Sequence, residues 1–430
     1  MKKNISPLTR IEGHLKIRVE IENGKVVNAK IIGDMLRGIE RVVLNRHYMD
    51  PIRITQRVCG LCSEVHGLAS CKAIENAIFL KPDENGEKIR DLIVCFNIIS
   101  DHLLHFYQLT LPDYVDFRVV GGVPSFLFRN LDGVRDVIRD KKVVSRFLDR
   151  YLNSFRIRTR ICQGIAIVGA KTPFAHAILV GGVSTSIRPD FATFFISLLS
   201  EIEKWVNYYK EDVLLLCKRF PHLFEIGRGP NNYLSISHLY CKSGVFIDGL
   251  GEEHFDVSQV SEMEPMYGFI NCPTYRNVKM ELGPLAECMI RKDSLFKEIL
   301  REVNQERNAN SLMGRLIARF VDTYRAFEYA KYLIERIEIK EKNLFWIDPS
   351  KKVSGKGFGF VKAPRGALIH YVEIESSKVN FYSIISPSTW NFSAGGAVET
   401  ALNGCPADNS LLNVGRIIRS FDPCTACSIH

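Results

Sequence analysis

The chain has 430 residues, 46% of them hydrophobic and 24% charged, an ordinary globular balance with material for a large core and no disorder signature. Its formal charge of +9, from 57 basic and 48 acidic residues, is spread without a dense basic block, which argues against nucleic acid as a partner. No run of about 18 apolar residues appears, the longest candidates resembling 92–99, so no membrane span is expected.

The amino terminus, Met1-Lys2-Lys3-Asn4, reaches Pro7 without an apolar segment, and no secretory signal is expected. Residues 15–32 alternate apolar and polar, with Leu15, Ile17, Val19 and Ile21 on one face, and break at Asn23-Gly24. That pattern predicts a β-hairpin. Helices are predicted over 63–79 and over 87–109, where Leu92, Phe96, Ile99, Leu103 and Phe106 recur at helical spacing. Further helices are predicted at 134–155, at 189–219 with Pro189 in its first turn, and at 295–339, which is long enough for two. Segments 233–247 and 355–385 are β-rich and carry glycines. The fold class is therefore a predominantly helical α+β protein with small peripheral sheets, read as one unit over 1–430 because no linker or repeat divides it.

Twelve cysteines in such a chain point to reduced thiols rather than a disulfide framework. Eight are scattered singly (Cys71, Cys95, Cys162, Cys217, Cys241, Cys272, Cys288 and Cys405) and read as small buried apolar residues. The other four form two C-x-x-C pairs, Cys59/Cys62 and Cys424/Cys427, with 361 residues between them. Two thiolates so spaced can share one metal. A zinc ribbon or finger spaces its pairs by roughly 12 to 20 residues, so a shared site here has to be assembled by the whole fold. Taken alone, the pairs also fit structural zinc clips.

The neighbours of these pairs carry more information. The first stands in Arg57-Val58-Cys59-Gly60-Leu61-Cys62-Ser63-Glu64-Val65-His66 and the second in Asp422-Pro423-Cys424-Thr425-Ala426-Cys427-Ser428-Ile429-His430. Together they resemble the two signature motifs of the large subunit of NiFe hydrogenases. Thr9-Arg10-Ile11-Glu12-Gly13-His14-Leu15, Arg37-Gly38-Ile39-Glu40, His105-Phe106-Tyr107, Ala363-Pro364-Arg365-Gly366 and Pro387-Ser388-Thr389-Trp390-Asn391 extend the resemblance, in family order, from Thr9 to His430.

The resemblance implies a fold with a central helical bundle, in which the two ends of the chain meet at the metal site. It implies that Cys59 and Cys424 bind nickel terminally, while Cys62 and Cys427 also bridge to an iron carrying one carbon monoxide and two cyanides. His66 would hydrogen-bond a bridging sulfur from one helical turn away. Glu12 would relay a proton from a terminal thiolate, which requires burial to raise its pKa beside Cys424 or Cys427. Arg365 would hold a positive charge by the open metal position, oriented by Asp113 and Asp422. Ser388 and the backbone at Pro364 would contact the diatomic ligands. Glu40, the carbonyl of Ile384 and His430 would bind a second cation, magnesium or iron.

The activity so implied is the reversible heterolytic cleavage of H2 into protons and electrons. No spare cysteine cluster remains for iron–sulfur centres, so a small subunit carrying at least one is expected as partner. Further electron-transfer subunits, maturation proteins and a carboxy-terminal endopeptidase belong to the same expectation. A cytoplasmic place is expected, with periplasmic or membrane association through the partner left open, since exported relatives carry their signal on the small subunit. A hydrogen sensor with the same metals is the alternative reading. A complex I-type core subunit of the same fold lacks the cysteines. The chain departs from the family in two places: Gly169-Ala170-Lys171-Thr172-Pro173-Phe174-Ala175-His176 displaces a histidine, and Lys362 stands where a glutamate usually precedes Ala-Pro-Arg. It is also short for a large subunit.

Overall fold

The computed structural model describes residues 1–121, 131–134, 136–186, 188–338 and 353–430. Four long helices, Glu84–Leu103, Lys141–Gly169, Pro189–Arg219 and Leu312–Ile334, make the central bundle. The first and the third each pack against the second and the fourth, which closes the bundle around a common apolar core. The molecule is thus of the predicted class, helical at its centre with small sheets around it.

Local chemistry sets where these helices begin. Asp83 caps the first by accepting from the Gly86 amide at 2.8 Å, and Asp140 caps the second by accepting from Lys142 and Val143 at 3.0 Å. The predicted 134–155 helix therefore starts late, because Ile138 is engaged in a backbone bridge with Val115, and it runs on to Gly169. The 189–219 helix keeps its predicted bounds. The 295–339 segment is two helices, Ser294–Glu302 and Leu312–Ile334, and residue 339 lies outside the described residues.

The predicted 87–109 helix begins earlier, and beyond Leu103 it widens into a π-helical turn over Leu104–Thr110 before a 3-10 turn at Leu111–Asp113. By length and composition this continuous segment could cross a membrane, contrary to the sequence reading. However, 89% of its most apolar window is buried inside the protein, as a central core helix would be.

The amino-terminal hairpin forms as predicted, Leu15–Glu22 against Lys25–Gly33, and gains an unpredicted third strand, Lys2–Ile5. Near the carboxy terminus Gly355–Ala363, Gly366–Glu375 and Lys378–Ile385 form an antiparallel meander. Its first hairpin turns on Pro364 and Arg365, since Ala363 pairs directly with Gly366. This sheet lies on the Ser63–Ala77 helix. The contact is backbone to backbone: a Cβ on Gly355, Gly357 or Gly359 would come within 1.9, 2.3 or 2.0 Å of the carbonyl oxygens of Ala77, Ala73 and Ala69. Glycines at strand spacing thus meet alanines at helical spacing, and the helix that starts after Cys62 is held tightly against the hairpin that ends at Arg365.

Candidate metal centre

Cys59 closes a 3-10 turn, Gln56–Val58, in extended backbone, and Cys62 caps the Ser63–Ala77 helix. Cys424 caps the short Thr425–Ser428 helix. The amino-terminal segment brings the second pair to the first. The Glu12 amide donates to the Pro423 carbonyl at 3.3 Å and the Thr425 amide to the Glu12 carbonyl at 2.9 Å, a parallel bridge between Glu12 and Cys424. Gly13 permits this approach with φ +82°, since a Cβ there would lie 3.1 Å from the Ala426 nitrogen.

All four cysteines are buried and unbridged, and their sulfurs lie within 4.8 Å of one another. Cys62 and Cys427 are 3.3 Å apart, Cys424 and Cys59 3.5 Å, and Cys424 and Cys427 2.6 Å. Burial alone would raise every thiol. At Cys59, S–H groups from Cys424, Cys427 and Cys62 outweigh burial and hold the pKa low, whereas Cys62, Cys424 and Cys427 are pushed up. Four thiolates this close can be charged together only around a cation, and four soft sulfurs suit nickel.

Arg365 is buried beside this cluster. Its Nε donates to the Asp422 carbonyl at 3.0 Å and its Nη2 to Asp422 Oδ1 at 3.1 Å, while Asp101 faces the guanidinium at 3.4 Å. Burial and then Asp422 raise the Asp101 carboxyl against the pull of Arg365, to about 7, whereas at Asp422 the arginines and histidines overcome burial and hold it near 2. The sequence reading gave the first of these carboxylates as Asp113. Asp113 instead pairs with Arg10 and with Arg419, the latter at 2.6 Å, and takes no part in holding Arg365. Asp101 was missed, although it stands one helical turn before the His105 that the resemblance included.

Glu12 is half-buried rather than enclosed. Its carboxyl is raised by burial and then by the Cys59 thiolate, with Arg365 opposing. Ser388 Oγ accepts from the Cys424 amide at 3.2 Å, and Pro364 is buried in the turn next to Arg365. His66 differs from expectation. Its Nδ1 meets His370 Nε2 at 3.1 Å, His370 Nδ1 meets the Tyr382 hydroxyl at 2.8 Å, and among the described residues no bond joins His66 to a sulfur. Glu40, Ile384 and His430 do converge, with His430 Nε2 3.3 Å from Glu40 Oε1. It is the Ile384 amide, however, not its carbonyl, that meets Glu40, at 2.6 Å. Burial raises Glu40 to about 7 and lowers His430 to about 3.

Comparison with known proteins is decisive at this point. A family profile described as nickel-dependent hydrogenase matches residues 37–122, 139–250 and 242–430, and one described as HoxL-like matches 3–31. The chain belongs to the nickel-dependent hydrogenase family. It is similar to the periplasmic [NiFeSe] hydrogenase large subunit of Desulfomicrobium baculatum, 31% identical over all of this chain and 95% of that one. It is also similar to the hydrogenase-2 large chain of Escherichia coli, 27% identical over 99% and 96%. Both alignments, 490 and 551 positions, exceed the chain's own length, so these relatives carry insertions that it lacks.

Among solved structures, the reduced, active [NiFeSe] hydrogenase of Desulfomicrobium baculatum superposes with a TM-score of 0.92 at 30% identity, covering both chains completely. The reduced [NiFeSe] hydrogenase of Desulfovibrio vulgaris Hildenborough gives 0.93 at 29%, again over both whole chains. This hydrogenase chain is the large, catalytic subunit, an oxidoreductase acting on H2 together with a small subunit. Its four buried cysteines form a group able to hold a metal ion, as a nickel-dependent family requires. A cytoplasmic place draws no support from these relatives, one of which is named periplasmic.

Proposed function

We propose that the cysteines hold a nickel–iron pair, with Cys59 and Cys424 on nickel alone and Cys62 and Cys427 bridging to an iron that carries one carbon monoxide and two cyanides. The reading is supported by one observation above others: four buried sulfurs from opposite ends of the chain converge within 4.8 Å, beside a buried arginine clasped by two carboxylates. Bound there, the metal pair supplies the redox and Lewis-acid chemistry that splits hydrogen heterolytically.

The protein's own groups do the rest. Arg365 keeps a fixed positive charge beside the sulfurs, and Asp422 and Asp101 prevent the guanidinium from swinging away. Glu12, raised by burial, takes a proton from a terminal thiolate, and its partial exposure gives that proton a way out. The Ser388 hydroxyl accepts the Cys424 amide and has its hydrogen free for a diatomic ligand, against the wall made by Pro364. His66, one turn into the helix that Cys62 caps and held by His370, would support the bridging cysteines only through the placement of that helix. Glu40, the Ile384 carbonyl and His430 would take a magnesium or iron ion, for which Glu40 Oε1 and His430 Nε2, 3.3 Å apart, are the converging ligand atoms.

The partner small subunit carries at least one iron–sulfur cluster and receives the electrons. Further electron-transfer subunits, maturation proteins and a carboxy-terminal endopeptidase complete the proposed set, with periplasmic or membrane association set by the partner. Infrared spectroscopy of nickel-loaded enzyme tests the centre. Carbon monoxide and cyanide stretching bands are expected, and their absence from nickel-replete protein overturns the iron assignment.

A further inference from the structure

Lys362 is fully buried, an expensive place for an ammonium ion unless anions meet it. Two do. Its Nζ lies 2.6 Å from Glu287 Oε2 and 3.0 Å from Asp322 Oδ2. It stands at the end of the Gly355–Ala363 strand, three residues before Arg365. Whatever anchors Lys362 therefore anchors the foot of the hairpin whose tip is the arginine.

The anchor does not stop at Asp322. The same Oδ2 accepts from His102 Nε2 at 2.8 Å, and His102 Nδ1 faces Arg319 Nη1 at 3.2 Å. An arginine can only donate, so Nδ1 is the acceptor and the proton of a neutral imidazole sits on Nε2, where Asp322 receives it. Arg319 Nη1 in turn donates to Asp422 Oδ2 at 3.1 Å, and Asp422 Oδ1 holds Arg365. Arg319 and Asp322 lie one turn apart on the Leu312–Ile334 helix, so a single helical face carries both ends of the His102 link. The contacts close on themselves: from Arg365 through Asp422, Arg319, His102 and Asp322 to Lys362, and back to Arg365 along three residues of backbone.

We propose that Lys362 is a positioning residue for Arg365, closing this ring so that the hairpin tip and the carboxylate that holds the guanidinium cannot move independently. Each arc of the ring blocks a different escape. Asp422 limits rotation of the guanidinium, and the Lys362 ion pair with Asp322 ties the strand that delivers it to the Leu312–Ile334 helix. The inference rests on the role proposed above for Arg365, and the test separates the two.

The experiment uses the assembled enzyme with nickel content verified, comparing Arg365→Lys, Lys362→Met, His102→Asn and the Lys362→Met/His102→Asn double variant. His102→Asn leaves every charge in place and only shortens the middle link, so it decides the matter in the same way should Lys362→Met fail to assemble. Each single cut is expected to lower kcat about 10- to 100-fold with KM for H2 little changed, the scale of a small misplacement of a reacting group. The double variant should lose no more than the worse single one, because both cut one ring. A crystal structure of either single variant should show the Arg365 guanidinium displaced. Normal turnover in Lys362→Met or His102→Asn while Arg365→Lys is impaired overturns the ring, as do multiplied losses or an unmoved Arg365. Normal turnover in Arg365→Lys itself overturns the underlying reading of the arginine.

Discussion

Glu12 and Cys424 are joined by their backbones, not by their side chains: the two residues form a parallel bridge held by the Glu12 amide and carbonyl. Among the described residues, no hydrogen bond or ion pair uses the carboxyl of Glu12. Glu12→Gln should leave nickel and iron in place while hydrogen oxidation and hydrogen–deuterium exchange fall together by about 10² to 10⁴-fold. A loss below about 10-fold would reveal another proton exit, and loss of metal would make Glu12 structural.

The neighbouring glycine tests the bridge itself. Gly13 and Gly24 have similar positive φ values, +82° and +72°, but only Gly13 has close neighbours for a Cβ, in Thr425 and Ala426. Both alanine variants should lose about 1 kcal/mol to backbone strain. Gly13→Ala alone should also lower nickel content, because the added methyl pushes on the second cysteine pair. Equal nickel in both would show that the bridge tolerates displacement.

Cys62→Ser and Cys427→Ser should each prevent stable nickel retention, since among the described residues no fifth cysteine joins the group to substitute. Cys405→Ser, equally buried but outside the four-cysteine group, serves as the control and should retain nickel. Elemental analysis decides.

Arg365 spends its donors on the Asp422 carbonyl, the Asp422 carboxylate and Asp101 at once, a fork that an ammonium cannot reproduce. Arg365→Lys should keep its metals and lose about 10²-fold or more in turnover. Near-normal turnover with full nickel would reduce the arginine to an ion-pair partner.

His102 and His105 are buried, and burial pushes their imidazoles down to about 4 and about 3 from an ordinary 6.5. Between those values the unfolded chain binds protons that the folded chain refuses. Stability is therefore complete above about pH 6.5 and falls as the pH drops toward 4, by on the order of 3 kcal/mol per histidine. Asp101 and Glu40, raised to about 7, pull the other way over the same range, so the readout is a difference: denaturant midpoints should fall more from about pH 7 to about pH 5 in the parent protein than in His102→Asn. Equal slopes would mean that folded His102 accepts its proton.

The four cysteines were legible because their spacing and neighbours are local facts, and so was the hairpin at Asn23-Gly24, where two residues dictate the turn. That Asp113 is expected beside Arg365 and Asp101 is found there shows what local pattern cannot carry. A regular helix from 87 to 109 would have fixed which residues share a face. The wide π turn at Leu104–Thr110 re-aims everything after it, so Asp101 looks toward Arg365 and Asp113 toward Arg10 and Arg419. Lys362 was noticed only as a departure. Its partners, Glu287 and Asp322, are 75 and 40 residues away, and nothing in the sequence joins them before the fold does.

The glycine stripe of Gly355, Gly357 and Gly359 has a consequence for how this enzyme can vary. Side-chain contacts can be retuned by exchanging one rotamer or methyl for another, and the spacing between elements then drifts by fractions of an ångström. Here the first cysteine pair and the arginine hairpin are gauged by one main chain resting on another, a mechanical stop with nothing adjustable in it. Even alanine at Gly359 would put a carbon 2.0 Å from the Ala69 oxygen and wedge the sheet away from the helix. The dimension on which the metal site depends most is thus the one that mutation has the fewest ways to alter by degrees: it is kept, or the two halves part.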